Sequence, residues 1–355
     1  MSQRIAVVLI LASGLLLSAL PVSAQSFVLD LPRGSQHAIV SQRVGITDIA
    51  INYHRPLVNG RPIWGKLVPY GQVWRAGANE NTTISFSDPV TIEGKALDRG
   101  TYGLHMLPTA DSWTIIFSKN YTSWGSFTYD EKEDALRVNV KPQPSDMHNA
   151  LTYDFDDLGT DSAVVTLRWE KLAVPFKVAV NVGDVMQKSF DKQLRGLAQY
   201  SWMGWDDAAT YLHDNKGNLE QALKYSNKSI EAEDRYDNEI TKSRILRDMG
   251  RKDEAKTAEA KGLEKASPLQ IHLFARQLQA DKRQDEAFVI FRDNAKKHPD
   301  EWFVHTGLAR MYSAQGDFDN AAKEMKTALS MAPEQQKSYL DGMVKKLEAK
   351  EDVNK

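Results

Sequence analysis

The sequence contains no cysteine, so the chain forms no disulfide bond and has no cysteine to carry a lipid at its N-terminus. It also lacks an excess of one charge. Its 45 basic and 47 acidic residues give a net charge of −2, which argues against a nucleic-acid-binding protein. No Gly-x-Ser-x-Gly motif and no glycine-rich phosphate loop occurs, and the histidines do not follow metal-binding spacings. We therefore expect no metal, no cofactor and no nucleophilic serine.

Long apolar runs are missing everywhere except at the N-terminus. Ile5–Leu20 is almost wholly apolar, follows the positive charge of Arg4, and precedes Val22-Ser23-Ala24, which suits signal peptidase. Residues 1–24 are thus predicted to be a secretory signal peptide. The predicted location is periplasmic or secreted, with no stable membrane anchor after cleavage. A retained anchor is the competing interpretation, but the run is short for a bilayer.

The most informative pattern that is present is a repeat with a period of about 34 residues. A short polar break is followed five residues later by alanine in four successive segments: Gly217 to Ala222, Gly250 to Ala255, Lys282 to Ala287, and Gly316 to Ala321. Helix-forming residues fill the segments between the breaks. Such a period predicts stacked helical hairpins, an architecture that binds partners far more often than it catalyses reactions. The competing interpretation is a helical bundle without repeats.

The fourth segment resembles the tetratricopeptide repeat. A helix predicted over Glu301–Gln315 carries Leu308, Ala309 and Tyr312, and Pro333 ends the next helix. Four such hairpins are predicted over residues 207–333. A linking helix is predicted over residues 184–206, and a capping helix with a tail over residues 334–355.

Residues 25–183 follow a different pattern, with short β-branched and aromatic runs separated by turn residues. This pattern predicts an antiparallel β-sandwich or barrel. The fold class is therefore α+β multidomain: an N-terminal all-β antiparallel sandwich, then a C-terminal all-α tetratricopeptide-like solenoid. The predicted strands are Ile49–Tyr53, Thr83–Phe86, Val90–Ile92, Thr101–Leu107, Trp113–Phe117, Leu136–Val140, Leu151–Phe155, Val164–Trp169 and Phe176–Val182.

One long irregular segment, Arg55–Asn81, interrupts the strands. Its runs Gly60–Gly71 and Val73–Thr83 resemble the bacterial family called domain of unknown function 2911. The resemblance extends over about residues 26–183. It implies an exported protein and almost nothing about activity.

The same segment holds the candidate ligand-binding residues of the sandwich: Arg55, Arg61, Arg75, Asn79 and Glu80. Three interpretations stay open. The charged groups lock the loop through hydrogen bonds to backbone and to Glu80, or they recognise a glycan or small ligand, with Trp64, Trp74 and Trp124 stacking on sugar faces. Alternatively, Glu80 and His105 act as an acid–base pair. We favour the first.

Arginine occupies the same position in three successive repeats, as Arg244, Arg276 and Arg310. In a tetratricopeptide solenoid this position faces the concave groove, so the row suits an acidic segment or a free C-terminal carboxylate. The alternative is an ordinary solvated helix face. We predict a non-enzymatic scaffold for a protein or peptide partner. The competing function is a glycan- or ligand-binding sandwich, with hydrolysis as its weaker variant, and with the repeats as a docking module.

Overall fold

The computed structural model describes residues 31–354. They divide into two compact units, one ending at Val182 and the other starting at Gly183. The predicted signal peptide, residues 1–24, lies outside the described residues.

The first unit consists of two antiparallel sheets. One has the strand order β1-β2-β3-β6-β7-β8 and the other the order β5-β4-β10-β9. The strands are β1 Gln36–Val44, β2 Thr47–Arg55, β3 Thr83–Phe86, β4 Val90–Ile92, β5 Lys95–Leu97, β6 Gly100–Pro108, β7 Trp113–Ser118, β8 Asp134–Val140, β9 Gln143–Asp156 and β10 Ser162–Ala179.

The two sheets pack face to face through side chains that alternate along the strands. Ile49, Ile51 and Tyr53 on β2 are buried, and the residues between them are more exposed. Tyr53 meets Tyr153 of the other sheet edge-on, with ring centroids 4.9 Å apart. The predicted antiparallel sandwich is confirmed, and its core lies between the sheets.

The strands differ from the predicted set in three places, one of which is the three-residue strand β5, absent from that set. β1 is absent from that set because it is largely exposed and lacks a clear apolar alternation. The two runs expected at Val164–Trp169 and Phe176–Val182 belong to the single strand β10. The pairing of β10 with β9 shifts register around Glu170, which adopts a positive φ of 55°, so the strand bends there without ending.

The second unit is built from helices arranged as hairpins. The pairs α2/α3, α4/α5, α6/α7 and α8/α9 follow α1, and α10 closes the described part of the series. The helices are α1 Val182–Gln193, α2 Trp202–Asp214, α3 Leu219–Ala232, α4 Tyr236–Asp248, α5 Lys252–Lys265, α6 Pro268–Ala280, α7 Gln284–Lys297, α8 Trp302–Ala314, α9 Phe318–Met331 and α10 Glu334–Glu348.

The repeat pattern predicts this packing correctly. The four alanines that follow the breaks are 0 % exposed, because each lies where the two helices of a hairpin approach most closely. The breaks end the preceding helices in the left-handed conformation, with φ of +79° at both Gly250 and Gly316. α6 starts with a capping box, in which Ser267 and Gln270 each satisfy a backbone group of the other.

The segment predicted as one linking helix, residues 184–206, is not continuous. α1 ends at Gln193, a 3₁₀ turn covers Leu197–Tyr200, and α2 begins at Trp202 with Ser201 as its cap. Gly196 lies in the interruption, where glycine weakens a helix. None of the helices between residues 31 and 354 is long and apolar enough to cross a membrane.

Candidate functional site

The segment between β2 and β3 is packed tightly against the sandwich. Trp74 exchanges two backbone hydrogen bonds with Met106 of β6, both 2.8 Å long. Trp64 lies edge-on to Trp113 and Trp169, with centroids 5.0 and 5.7 Å away, and Trp74 stacks on Trp169 at 5.9 Å. Trp64 and Trp74 are thus tied into an aromatic cluster of the unit and do not form a free stacking surface.

Arg55 and Arg61 hold backbone in place. Arg55 donates from Nε to the carbonyl of Leu151, at 3.0 Å. Arg61 donates from Nε to the carbonyl of Val58, at 3.1 Å. These bonds support the loop-locking interpretation for both arginines.

Asn79 also fixes the chain. It adopts a φ of +59°, a conformation that asparagine tolerates better than most residues, and its side-chain amide donates to the carbonyl of Ser35 at 3.3 Å.

Arg75 lies beneath an exposed aromatic ring. Its guanidinium carbon is 5.8 Å from the ring centroid of Trp124, and burial lowers the pKa of Arg75 although Glu80 opposes the shift. Its Nε is buried and has no hydrogen-bond partner among the described residues. The predicted neighbour Glu80 acts on Arg75 electrostatically, and the direct ion pair of Glu80 is with another arginine.

That arginine is Arg33, which with His54 and Glu80 forms what we call the Glu80 cluster. Arg33 Nη1 lies 2.5 Å from Glu80 Oε1, and His54 Nε2 lies 3.4 Å from Oε2. Burial raises the pKa of Glu80, but the hydrogen bond from Arg33, a backbone hydrogen bond and the charges of His54 and Arg33 together outweigh it, so the net pKa is lowered. Burial lowers the pKa of His54 despite the attraction of Glu80. At neutral pH the cluster therefore presents a carboxylate beside a neutral imidazole.

A cavity of about 450 Å³ opens at the Glu80 cluster. It is lined by Leu31, Pro32, Arg33, Ser35, Gln36, His37, His54 and Glu80. His54 is not among the predicted site residues, because nothing in the sequence spacing shows that the end of β2 meets Glu80.

The predicted acid–base pair of Glu80 and His105 needs correction. His105 is 3 % exposed, and its Nδ1 lies 3.0 Å from Ser126 Oγ. Burial, with Arg75 nearby, lowers the pKa of His105 to about 4. The histidine that reaches Glu80 is His54, so His105 is a buried neutral group of the sandwich and not its partner.

Three aromatic side chains on the loop after β7 are exposed, Tyr121, Trp124 and Phe127, and the last two stack on each other. Trp124 is 58 % and Phe127 80 % exposed, their planes differ by 14°, and their centroids are 6.0 Å apart. We call them the aromatic pair. The backbone of Trp124 pairs with that of Glu80, so the aromatic pair borders the Glu80 cluster.

In the second unit, the three predicted partner-binding arginines have different surroundings. Arg244 is about half exposed and pairs with Asp214, at 2.6 Å. Arg276 is exposed and forms no ion pair with any residue between 31 and 354. Both remain accessible to a partner.

Arg310 does not continue an open row. It is 6 % exposed and donates to the carbonyl of Val353 at 2.8 Å. Asn354 in turn donates to the carbonyl of Arg310, and Ser313 bonds Asp352 at 3.0 Å. Residues 352–354 thus lie along α8 and cover Arg310. The repeat spacing does not predict this contact.

Between α4 and α6 lies a cavity of about 710 Å³, which we call the repeat crevice. Apolar and charged side chains both line it. One wall is fixed by Glu259 of α5, which pairs with Arg247 at 2.5 Å and with Arg283 at 3.2 Å. The lining residues are His213, Tyr236, Ile240, Ser243, Arg244, Arg247, Asp248, Glu259, Leu273, Phe274, Gln277, Leu278, Asp281 and Arg283.

The buried hydrophobic residues of the repeats form separate clusters on the two sides of the crevice, and partly buried Tyr236, Ile240 and Leu263 of α4 and α5 pack against the cluster of α6 to α8. One cluster extends from Phe190 to Ala258 through α1 to α5, and another runs from Phe274 to Met311 through α6 to α8. The crevice lies where these two clusters meet.

Within residues 31–354, no group of three or more potential ligand side chains is placed to hold a metal ion.

Comparison with known proteins finds one match in each of the two units of the chain. Residues 35–178 match the family described as Protein of unknown function (DUF2911). Residues 304–335 match a tetratricopeptide repeat. Both resemblances expected from the sequence are thereby confirmed. No curated protein matches the chain.

Two solved structures are similar to part of the chain. YrrB, described as a TPR protein with an unusual peptide-binding site, is 12% identical with a TM-score of 0.28, over 48% of this chain and 88% of that one. A mutant of MamA is 14% identical with a TM-score of 0.27, over 44% of this chain and 96% of that one.

Proposed function

We propose that this protein is an interaction scaffold whose helical repeats bind an extended peptide segment of a partner in the repeat crevice. The observation that carries the proposal is the cavity of about 710 Å³ between α4 and α6. Its volume is within the range of ligand-binding pockets, and its lining combines apolar side chains with a larger number of polar and charged ones.

Arg244 and Arg276 favour a carboxylate in that peptide, although Asp248, Glu259 and Asp281 also line the crevice. Arg244 lines the crevice, and Arg276 precedes the lining residue Gln277 on α6. Arg276 has no acidic partner in the described part of the chain, so an acidic side chain or a free C-terminus would neutralise it. Arg310 is excluded from this role because residues 352–354 cover it.

Selection from a random peptide library tests the proposal. The full chain is immobilised, and the library, displayed with free C-termini, is selected against it. We expect enrichment of peptides that carry an apolar residue next to Asp or Glu, or at the C-terminal position itself.

Two variants then locate the site. Arg244→Ala combined with Arg276→Ala should weaken the selected peptides about tenfold, which corresponds to about 1.4 kcal/mol. Arg292→Ala, which removes an exposed arginine from α7, is the matched control and should leave affinity unchanged. The absence of any enriched peptide, or equal binding to both variants, would contradict the proposal.

We further propose that the protein is exported, on the basis of the pattern in residues 1–24. Expression of the full sequence in a bacterium with two membranes, followed by N-terminal sequencing of the periplasmic fraction, tests this. We expect a chain that starts at Gln25, whereas recovery of an uncleaved chain in the cytoplasm would refute it.

A further inference from the structure

The sandwich carries a second candidate surface that the peptide proposal does not use. Trp124 and Phe127 expose large apolar rings side by side, whereas the other tryptophans of this unit are half-buried or buried. The two adjacent exposed rings have nearly parallel planes and form an apolar patch, a feature that is a candidate contact site.

The loop that carries the rings is held firmly. Gly125 adopts a φ of +76°, and Phe127 folds over it so closely that a Cβ at position 125 would lie 2.9 Å from the ring. The backbone amide of Asn81 donates to the carbonyl of Ser123 at 3.2 Å. Because these contacts fix the backbone on both sides of Trp124, little entropy is lost when a ligand stacks on the rings.

Hydrogen-bonding groups lie next to the rings. Glu80, whose backbone pairs with that of Trp124, also lines the cavity of about 450 Å³. The same cavity presents His54 and His37, and His37 Nε2 lies 2.6 Å from Asn52 Oδ1. Glu80 therefore connects the aromatic pair, through its backbone, with the polar cavity that its side chain lines.

We propose that the aromatic pair and the Glu80 cluster form a binding site for a carbohydrate built of β-linked, gluco-configured pyranose rings. In such rings the hydroxyls are equatorial, so each face presents C–H groups that stack on an aromatic plane. The hydroxyls at the ring edge then donate to the Glu80 carboxylate and accept from Arg33 and His54.

The polar cluster distinguishes this ligand from a purely apolar partner. An apolar surface that covered both the rings and the cavity would leave the charges of Arg33 and Glu80 without water or new partners, which is costly. A sugar matches both halves of the surface. This inference does not depend on the peptide proposal, since the two sites lie in different units.

Calorimetric titration of the full chain with cellohexaose and with chitohexaose tests the inference. We expect at least one of them to bind with a dissociation constant of about 1 mM or lower. Trp124→Ala combined with Phe127→Ala should weaken that binding about tenfold or more. Tyr200→Ala, which removes an equally exposed ring from the second unit, is the control and should not change it.

A third variant examines the polar half. Glu80→Gln keeps the shape but removes the charge, and it should weaken binding several-fold, which a purely aromatic contact would not do. Thermal unfolding of each variant checks that the sandwich is intact. The inference is overturned if neither hexasaccharide binds, or if binding survives in the double variant.

The same samples examine the main alternative, a second copy of this chain on the aromatic pair. Sedimentation velocity should show no difference in association between the wild type and the double variant. A dimer that dissociates when the rings are removed, without sugar binding, would overturn the carbohydrate assignment.

Discussion

His105 is the residue whose protonation should affect the sandwich most. It is buried and neutral, with a pKa lowered to about 4 from an ordinary value of 6.5. Between these two values the unfolded chain binds a proton that the folded chain does not, so the free energy of unfolding rises with pH. The contribution is complete above pH 6.5, is lost as the pH falls towards 4, and amounts to at most about 3 kcal/mol.

The measurement is chemical denaturation of the wild type and of His105→Gln at several pH values between about 4 and 7. We expect the free-energy difference between the two proteins to shrink as the pH falls. A difference that stays constant over this range would show that His105 is protonated equally in both states.

Lys282 carries backbone strain that glycine would relieve. Lys282 follows α6 and adopts a φ of +63°. At the same position of their own repeats, the second and fourth segments have glycine, Gly250 and Gly316. The left-handed conformation costs a non-glycine residue roughly 1–2 kcal/mol, and glycine loses about 0.5–1 kcal/mol in chain entropy. Lys282→Gly should therefore stabilise the repeats by about 0.5–1 kcal/mol.

The reciprocal change is a control. Gly250→Ala should destabilise by about 1 kcal/mol, for conformational reasons alone, because a Cβ at position 250 meets no atom within 4 Å. Denaturation midpoints of both variants test the pair, and equal effects of the same sign would contradict this explanation.

At the residue scale, the sequence predicted positions that depend on local geometry. The buried alanines after each break follow from helix periodicity, and they are where the pattern placed them. His54 beside Glu80, and residues 352–354 over Arg310, depend on which distant segments meet. A single sequence has no periodic signal for such contacts.

At the element scale, Glu259 should be the main electrostatic connection between the second and third hairpins. It extends from α5 to Arg247 on α4 and to Arg283 before α7, and its side chain is 11 % exposed. Glu259→Gln leaves the guanidinium group of Arg247 without its carboxylate, whereas Arg283 keeps its ion pair with Glu286. We expect a loss of about 1–3 kcal/mol in unfolding free energy.

Glu254→Gln on the same helix is the matched control. Glu254 pairs with Arg251 at the surface, so its removal should have little effect. If the two variants unfold at the same denaturant concentration, Glu259 does not hold the hairpins together.

Strands were predicted correctly where one face of the strand is buried, because apolar and polar residues then alternate. They were missed where the strand is mostly exposed and this alternation is absent. β2 alternates between buried and exposed residues, and its centre matches the predicted strand Ile49–Tyr53. β1 is mostly exposed and has no counterpart in the predicted set. The bulge at Glu170 mimics a turn, because an extra residue in one strand interrupts alternation as a turn does.

At the scale of the whole molecule, the two units divide the candidate functions. The sandwich, which matches a family of unknown function, carries the aromatic pair and the Glu80 cluster. The helical unit, whose fourth hairpin matches a tetratricopeptide repeat, carries the repeat crevice. The change from strand-like to repeat patterns near residue 183 predicted the two units. The repeat period did not predict the crevice between α4 and α6.

Hydrogen exchange of the full chain, with and without a peptide from the selection, tests the central claim most directly. If the peptide occupies the repeat crevice, amides of α4 and α6 exchange more slowly in the complex, and strands β1 to β10 are unaffected. Protection confined to the strands, or spread over the outer helices α5 and α7 without α4 and α6, would contradict binding in the crevice.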